Sequence, residues 1–252
     1  NLLPETTDSL VAPGVDVALL YFAGQGMEQR GDLVLVSQEA ASPNEGVAFS
    51  LILGKVQASP IREIIIVLDC CFSGGAGGIP ALGANVATLR EGLALFSASR
   101  ADQTAAETPY ARGMFSTYFC GALEGGAADV LGNVSLAGTY AYLSESFGSW
   151  GQRPTFKANL ERSSVLRQSR PSVSLKELRQ LPAIFPNPDA DLPLTPRYDT
   201  ESPEHDKALA PVMGVLQRCR SARLVEPVGA EHLYHAAMQS KACRLTPLGK
   251  HY

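Results

Sequence analysis

Residues 61–75, IREIIIVLDCCFSGG, constrain the fold more than any other stretch. An unbroken apolar run, Ile64-Ile65-Ile66-Val67-Leu68, stops at Asp69 and passes at once into Cys70, Cys71 and a glycine turn. A half-solvated strand would alternate apolar and polar residues. A continuous β-branched run instead predicts a strand buried on both faces, as in a parallel sheet with helices above and below. In open α/β sheets, chemistry sits just beyond the carboxyl ends of such strands. A thiol at that place is a candidate nucleophile. A buried structural cysteine is the competing reading, and Cys70 would suit a core equally well.

The surrounding pattern agrees with an α/β fold. Residues 15–26, VDVALLYFAGQG, form a second apolar strand that ends in Gly24-Gln25-Gly26. Strands are predicted near 15–22, 33–36, 61–68 and 93–98. A helix fits 43–58, with Ser42 as cap, Pro43 in the first turn and Glu45 closing a capping box. A second helix fits 113–124. A third starts at Ser135 and runs toward Phe147, with Val134 placed as a hydrophobic staple. Strand–helix alternation implies a mainly parallel sheet with right-handed crossovers.

At 252 residues the chain can bury a full core and hold one large and one small domain. With 45% hydrophobic and 18% charged residues it is neither disordered nor fibrous. No apolar run reaches the length of a membrane span, and no secretory leader is read, although the chain opens at Asn1. Five cysteines, two of them adjacent, do not make a disulfide ladder. Reduced thiols and a cytoplasmic location are expected.

Three segments follow from composition: residues 1–170 as the main domain, 171–204 as a Pro-rich linker, and 205–252 as a small unit. Residues 182–203 hold 6 prolines in 22 positions, which neither helix nor sheet tolerates, so an extended linker or surface strap is expected. In 205–252 a helix is predicted near 206–221, then a short strand and turn, then a helix beginning near Gly229. The pattern resembles a winged-helix domain, incomplete at its end, with Leu245-Thr246-Pro247-Leu248-Gly249 near the wing. This unit holds 7 Lys+Arg against 3 Asp+Glu, a mild basic bias that a solvated helix face would also give.

Five segments in order carry a resemblance: VDVALLYFAGQG at 15–26, Asp69-Cys70-Cys71-Phe72-Ser73-Gly74, LFSASRADQTAAE at 95–107, GMFSTYFCGALEGGAAD at 113–129 and GQRPTF at 151–156. Together they resemble the caspase-like cysteine peptidases of clan CD, nearest to bacterial caspase homologues and metacaspases. That family pairs a strand ending in Gly-His-Gly with one ending in Asp-x-Cys-x-Ser-Gly. The resemblance covers roughly residues 15–160. It departs from the family at one place, where Gln25 stands in the histidine position. The family's sheet also begins with a strand, a helix and a strand for which residues 1–14 offer no counterpart. An N-terminal piece cut away or lying in another chain is therefore expected.

The resemblance implies a chemistry. Cys71 takes the nucleophile position, and the backbone N–H groups of Gly26 and Cys71 form the oxyanion hole. Asp69 and Glu107 match the acidic pair that selects Arg or Lys, a bidentate charge-assisted contact. Asp69 could equally be a strand-end residue bonding turn amides, and Glu107 a solvated side chain. No cofactor and no metal are implied. The base is missing. The four histidines are His205, His232, His235 and His251, so nothing before residue 205 can shuttle a proton near neutral pH. Three explanations stay open: a protease inactivated at position 25, a natural pseudoenzyme acting as a protein-binding scaffold, or His232 or His235 reaching in from the C-terminal unit.

Other patterns are weaker. Gly74-Gly75-Ala76-Gly77-Gly78 lacks the Lys-Ser/Thr of a phosphate loop and reads as an activation loop. His232 and His235 lie near Cys219 and Cys243, but no Cys-x-x-Cys pair supports zinc. Arg218, Arg220 and Arg223 could face DNA phosphates, or a protein partner. The expectation from sequence is thus an endopeptidase cutting proteins or peptides after Arg or Lys in a bacterial defence or signalling cascade. Its expected partners are its protein substrate and an N-terminal fragment or upstream activator, with no membrane.

Overall fold

A computed structural model describes residues 2–36, 46–73, 89–98, 113–148, 154–161 and 164–252, with the backbone alone at 2–4 and 71–73. The elements in order are α1 (Leu2–Leu10), β1 (Val17–Gln29), β2 (Asp32–Val36), β3 (Val47–Ala48), α2 (Phe49–Ala58), β4 (Glu63–Ser73), β5 (Leu93–Ser97), α3 (Met114–Gly121), β6 (Asn133–Ser135), α4 (Leu136–Phe147), β7 (Thr155–Asn159) and β8 (Val165–Gln168). After these come α5 (Leu175–Leu178), α6 (Leu181–Ile184), β9 (Leu192–Pro193), α7 (Ala210–Ser221), β10 (Val225–Val228), α8 (Leu233–Met238) and β11 (Ala242–Leu245). The chain divides into two units, residues 1–127 with 134–168, and residues 128–133 with 169–252.

The first unit is built on a six-stranded sheet of order β3-β2-β1-β4-β5-β7. Its centre is parallel, with β1, β4 and β5 running together. Its flanks, β2, β3 and β7, are antiparallel. Ile64 to Leu68 are fully buried, as the uninterrupted apolar run demands. Side-chain alternation sends them to two separate cores. Ile64, Ile66, Leu68 and Cys70 join Phe49, Ile52 and Val56 of α2. Ile65 and Val67 join Phe115 and Phe119 of α3 and Leu136 and Leu143 of α4. Each such side chain withdrawn from water contributes roughly 1.5–3 kcal/mol, so β4 anchors both faces.

Two local features set the frame for the site. β1 does not stop after the glycine motif but runs on to Gln29 and returns as β2 through a two-residue turn, with Gln29 opposite Asp32. Arg30 and Gly31 both have positive φ, 54° and 79°, which is the mirror-image turn whose twist matches a hairpin. α4 begins as its sequence predicts: the Ser135 side chain accepts the Gly138 N–H at 3.0 Å.

Two expectations need correction. The helix placed at 43–58 begins only at Phe49, and Val47–Ala48 form a strand on β2. Its N-cap is Ala48, which offers no side-chain bond, while the expected cap Ser42 lies outside the described residues. Residues 171–204 are no loose strap. Val173, Leu178, Leu181, Phe185 and Leu194 are buried in the core of the second unit, with Leu216, Cys219 and Cys243.

In that second unit α7 and α8 pack with a three-stranded antiparallel sheet of order β10-β11-β9. A capping box closes α5, with Ser174 and Glu177 bonded reciprocally. β10 and β11 pair from Val225↔Leu245 to Val228↔Ala242. The link between them carries the helix α8 rather than the short loop of a wing. Among the described residues no helix is long and apolar enough to cross a membrane.

Candidate active site

β1 and β4 pair in parallel from Val17↔Glu63 to Met27↔Ser73. β5 stops earlier, at Ser97↔Leu68. The ends of β1 and β4 therefore project past the third parallel strand, with β2 paired to the far side of β1 from Gln25 on. There Gln25 is the register partner of Cys71, and Gly26 is the partner of Phe72. Neighbouring strands lie about 4.8 Å apart. The Gly-Gln-Gly and Asp-x-Cys-x-Ser motifs, 46 residues apart in sequence, thus meet in one ladder. Cys70 lies in the core, 1% exposed. The Gln25 side chain is exposed and Gly26 is buried.

Asp69 sits two residues before Cys71, opposite Ala23. It lies on the face of β4 shared with Ile65 and Val67, where α3 packs. Ser116, in the first turn of α3, donates to Asp69 Oδ2. The Tyr21 hydroxyl lies 2.6 Å from Ser116 Oγ and 3.3 Å from the same carboxylate oxygen. Burial first, and then the Asp69 charge, push the Tyr21 phenol up to about 12, against the lowering effect of the Ser116 bond. Gly113 lies beside the carboxylate at the start of α3: a Cβ there would stand 3.2 Å from Asp69 Oδ2 and 3.5 Å from Oδ1.

Sequence reasoning missed Tyr21, Ser116 and Gly113. The only signal for Tyr21 was its place in β1, two residues before Asp69's register partner. Glu107, the other expected acidic residue, lies outside the described residues, as do the glycine run 74–78 and residues 151–153.

The four histidines all belong to the second unit. His232 Nδ1 is 2.9 Å from Arg220 Nη2, and its ring lies 5.8 Å from that of His235. Cys219 and Cys243 are fully buried, and burial pushes their thiols up to about 11 and about 12 respectively. Both thiols pack in the core of the second unit. Among the described residues no group of three His, Cys, Asp or Glu side chains is close enough to hold a metal ion.

A cleft of about 680 Å³ lies at the other end of β4, lined by Arg62, Glu63, Arg90, Glu91 and Ser164 among others. Its polar groups bond the protein's own backbone. Glu63 accepts the Ser164 N–H at 3.1 and 3.3 Å, and Arg90 donates to Ile61 O at 2.6 Å and Glu91 O at 3.1 Å. These bonds tie strand starts together, at the end of the sheet remote from Cys71.

A family model described as the caspase domain matches residues 6–187. Among solved structures the chain is similar to caspase-1 from Spodoptera frugiperda, at 14% identity over 67% of this chain and 72% of that one, with a TM-score of 0.44. No curated protein sequence matches.

Proposed function

Because the chain belongs to the caspase domain family, a family of cysteine peptidases, we propose that it is built to cleave proteins after Arg or Lys and is nearly inert with glutamine at position 25. Cys71 is the nucleophile in this reading. Its own N–H and that of Gly26 hold the oxyanion, and Asp69 with Glu107 holds the cationic side chain before the scissile bond. One observation carries it: Gln25 and Cys71 are partners in the parallel ladder. Position 25 is thus the place from which a base would serve the thiol. A glutamine amide does not titrate near neutral pH and protonates no leaving amine. Loss of one member of such a catalytic set costs on the order of 10⁴-fold in rate.

The test is hydrolysis of Arg-, Lys- and Asp-containing fluorogenic peptides by the Gln25→His chain. Cleavage after Arg or Lys that Cys71→Ala abolishes supports the reading. The alternative is a natural scaffold that binds protein partners through the same strand ends. Sustained inactivity of Gln25→His together with an added strand-bearing partner, alongside peptide binding, favours it.

A partner of that kind has support in β1. Among the described residues β2 pairs with β1 only from Gln25 to Gln29, so the edge from Val17 to Gly24 has no strand on that side. An open edge of unpaired backbone groups suits an added strand. We assign it to an N-terminal fragment or an upstream activator, in a bacterial defence or signalling cascade in the cytoplasm.

For residues 205–252 we keep an adaptor role of winged-helix type. The antiparallel pair of β10 and β11 supports it and the intervening α8 counts against it. Protein docking is favoured over DNA binding. Of the seven Lys and Arg in this stretch, Arg218, Arg244 and Lys250 are paired with Glu177, Glu226 and Asp189. A salt-dependent gel shift by the full chain would reverse that preference.

A further inference from the structure

We propose that Ser116 and Tyr21 are positioning residues for substrate recognition: together they fix one oxygen of Asp69 and leave the other to a guanidinium or ammonium group. The inference rests on the reading of Asp69 as a cation-binding residue, and it adds the machinery that orients it.

The geometry is a chain of three groups from three elements. Ser116 of α3 spends its only proton on Asp69 Oδ2. The Tyr21 hydroxyl of β1, 2.6 Å away, then finds an acceptor in Ser116 Oγ, and it also approaches the same Oδ2 at 3.3 Å. A phenol whose ionisation is suppressed keeps its proton in this chain throughout the neutral range. All these contacts converge on Oδ2. Among the described residues no donor reaches Oδ1. A carboxylate accepts on both oxygens, and we assign Oδ1 to the incoming cation.

Gly113 completes the arrangement. A Cβ at that position would fall within 3.2–3.5 Å of both carboxylate oxygens, so the glycine keeps open the space through which a cation approaches. The carboxylate reaches across to α3. A carboxylate free to rotate would lose orientation on each encounter. One pinned at Oδ2 presents Oδ1 in a single direction, and this pre-organisation is where affinity for a charged group is gained.

The experiment is an NMR titration of the full chain with acetyl-Ala-Ala-Arg-amide and with its citrulline counterpart, which matches the shape but lacks the charge. The readout is the ratio of the two affinities, which a merely structural role would leave unchanged. The parent chain should prefer the arginine peptide by about tenfold or more, the scale of a hydrogen bond to a charged group. Asp69→Asn should abolish the preference. Ser116→Ala should cut it severalfold, Ser116→Thr should restore it, and Tyr21→Phe should cut it two- to threefold. The isosteric Tyr21→Phe keeps the test sharp where Ser116→Ala fails to fold. A preference that Asp69→Asn destroys but Ser116→Ala and Tyr21→Phe leave within twofold overturns the inference alone. A parent chain with no preference, or one that Asp69→Asn leaves intact, overturns the reading of Asp69 and the inference with it.

Discussion

Gln25 of β1 and Cys71 of β4 are partners in one parallel ladder, at the point where both strands outrun β5. In the proposed reading an amide stands at the position from which an imidazole would activate the thiol. On the α2 face the preceding residues Leu68 and Cys70 lie in the core.

The thiols should separate sharply by reactivity. Cys120 on α3 is exposed, while Cys219 and Cys243 are buried with thiols pushed up to about 11 and about 12. Thiolate is the reactive form. Brief alkylation at pH 8, followed by peptide mapping, should label Cys120 and spare Cys219 and Cys243 until urea unfolds the second unit.

Alkaline pH should destabilise the protein through these same groups. Their folded values lie above the unfolded ones, so the folded state holds more protons in between. Stability is fully present below about pH 9 and falls as pH rises toward 12. Tyr21 adds a similar loss between 10 and about 12. Thermal melts from pH 8 to 11.5 should show a smaller decline for Tyr21→Phe than for the parent.

The acid side depends on Glu177. Its bonds to Ser174, and then the Arg218 guanidinium, hold its carboxyl below the usual range. A depressed carboxyl stabilises the fold above its unfolded pKa and loses that contribution as pH falls through the folded value. Glu177→Gln should flatten the acid limb of the melting curve of the second unit. Hydrogen exchange in residues 169–252 between pH 3 and 5 would read it.

Gly92 should be irreplaceable. Its φ is +82° and a Cβ would come within 1.8 Å of Arg62 O, in the turn that starts β5 beside β4. The backbone must move to admit any side chain. Gly92→Ala should cost more than about 3 kcal/mol in urea unfolding, the scale of the largest single-residue effects.

Much of this was legible in the sequence for identifiable reasons. The run from Ile64 to Leu68 has no polar face, so only a two-sided core accommodates it. The start of α4 was fixed by Ser135, whose oxygen caps the first turn. The prolines of 182–203 misled because proline breaks a helix only in its interior. Pro182 and Pro196 here occupy first turns, as Pro211 does in α7, and the apolar residues between them reach the core. The Gly24-Gln25-Gly26 motif was readable as a strand end, and β1 carries it into the ladder with β4. The Tyr21–Ser116–Asp69 group was not, because its members are separated by 48, 95 and 47 residues and are joined only by the packing of α3 on the sheet.

The most direct test of the pairing is the alkylation rate of Cys71 at pH 6.5, followed by mass spectrometry of its peptide, in the parent and in Gln25→His. An imidazolium one strand away stabilises the thiolate. The Gln25→His chain should therefore react at least about tenfold faster at Cys71, with Cys120 unchanged as an internal control. Equal rates at Cys71 in the two chains would contradict the account.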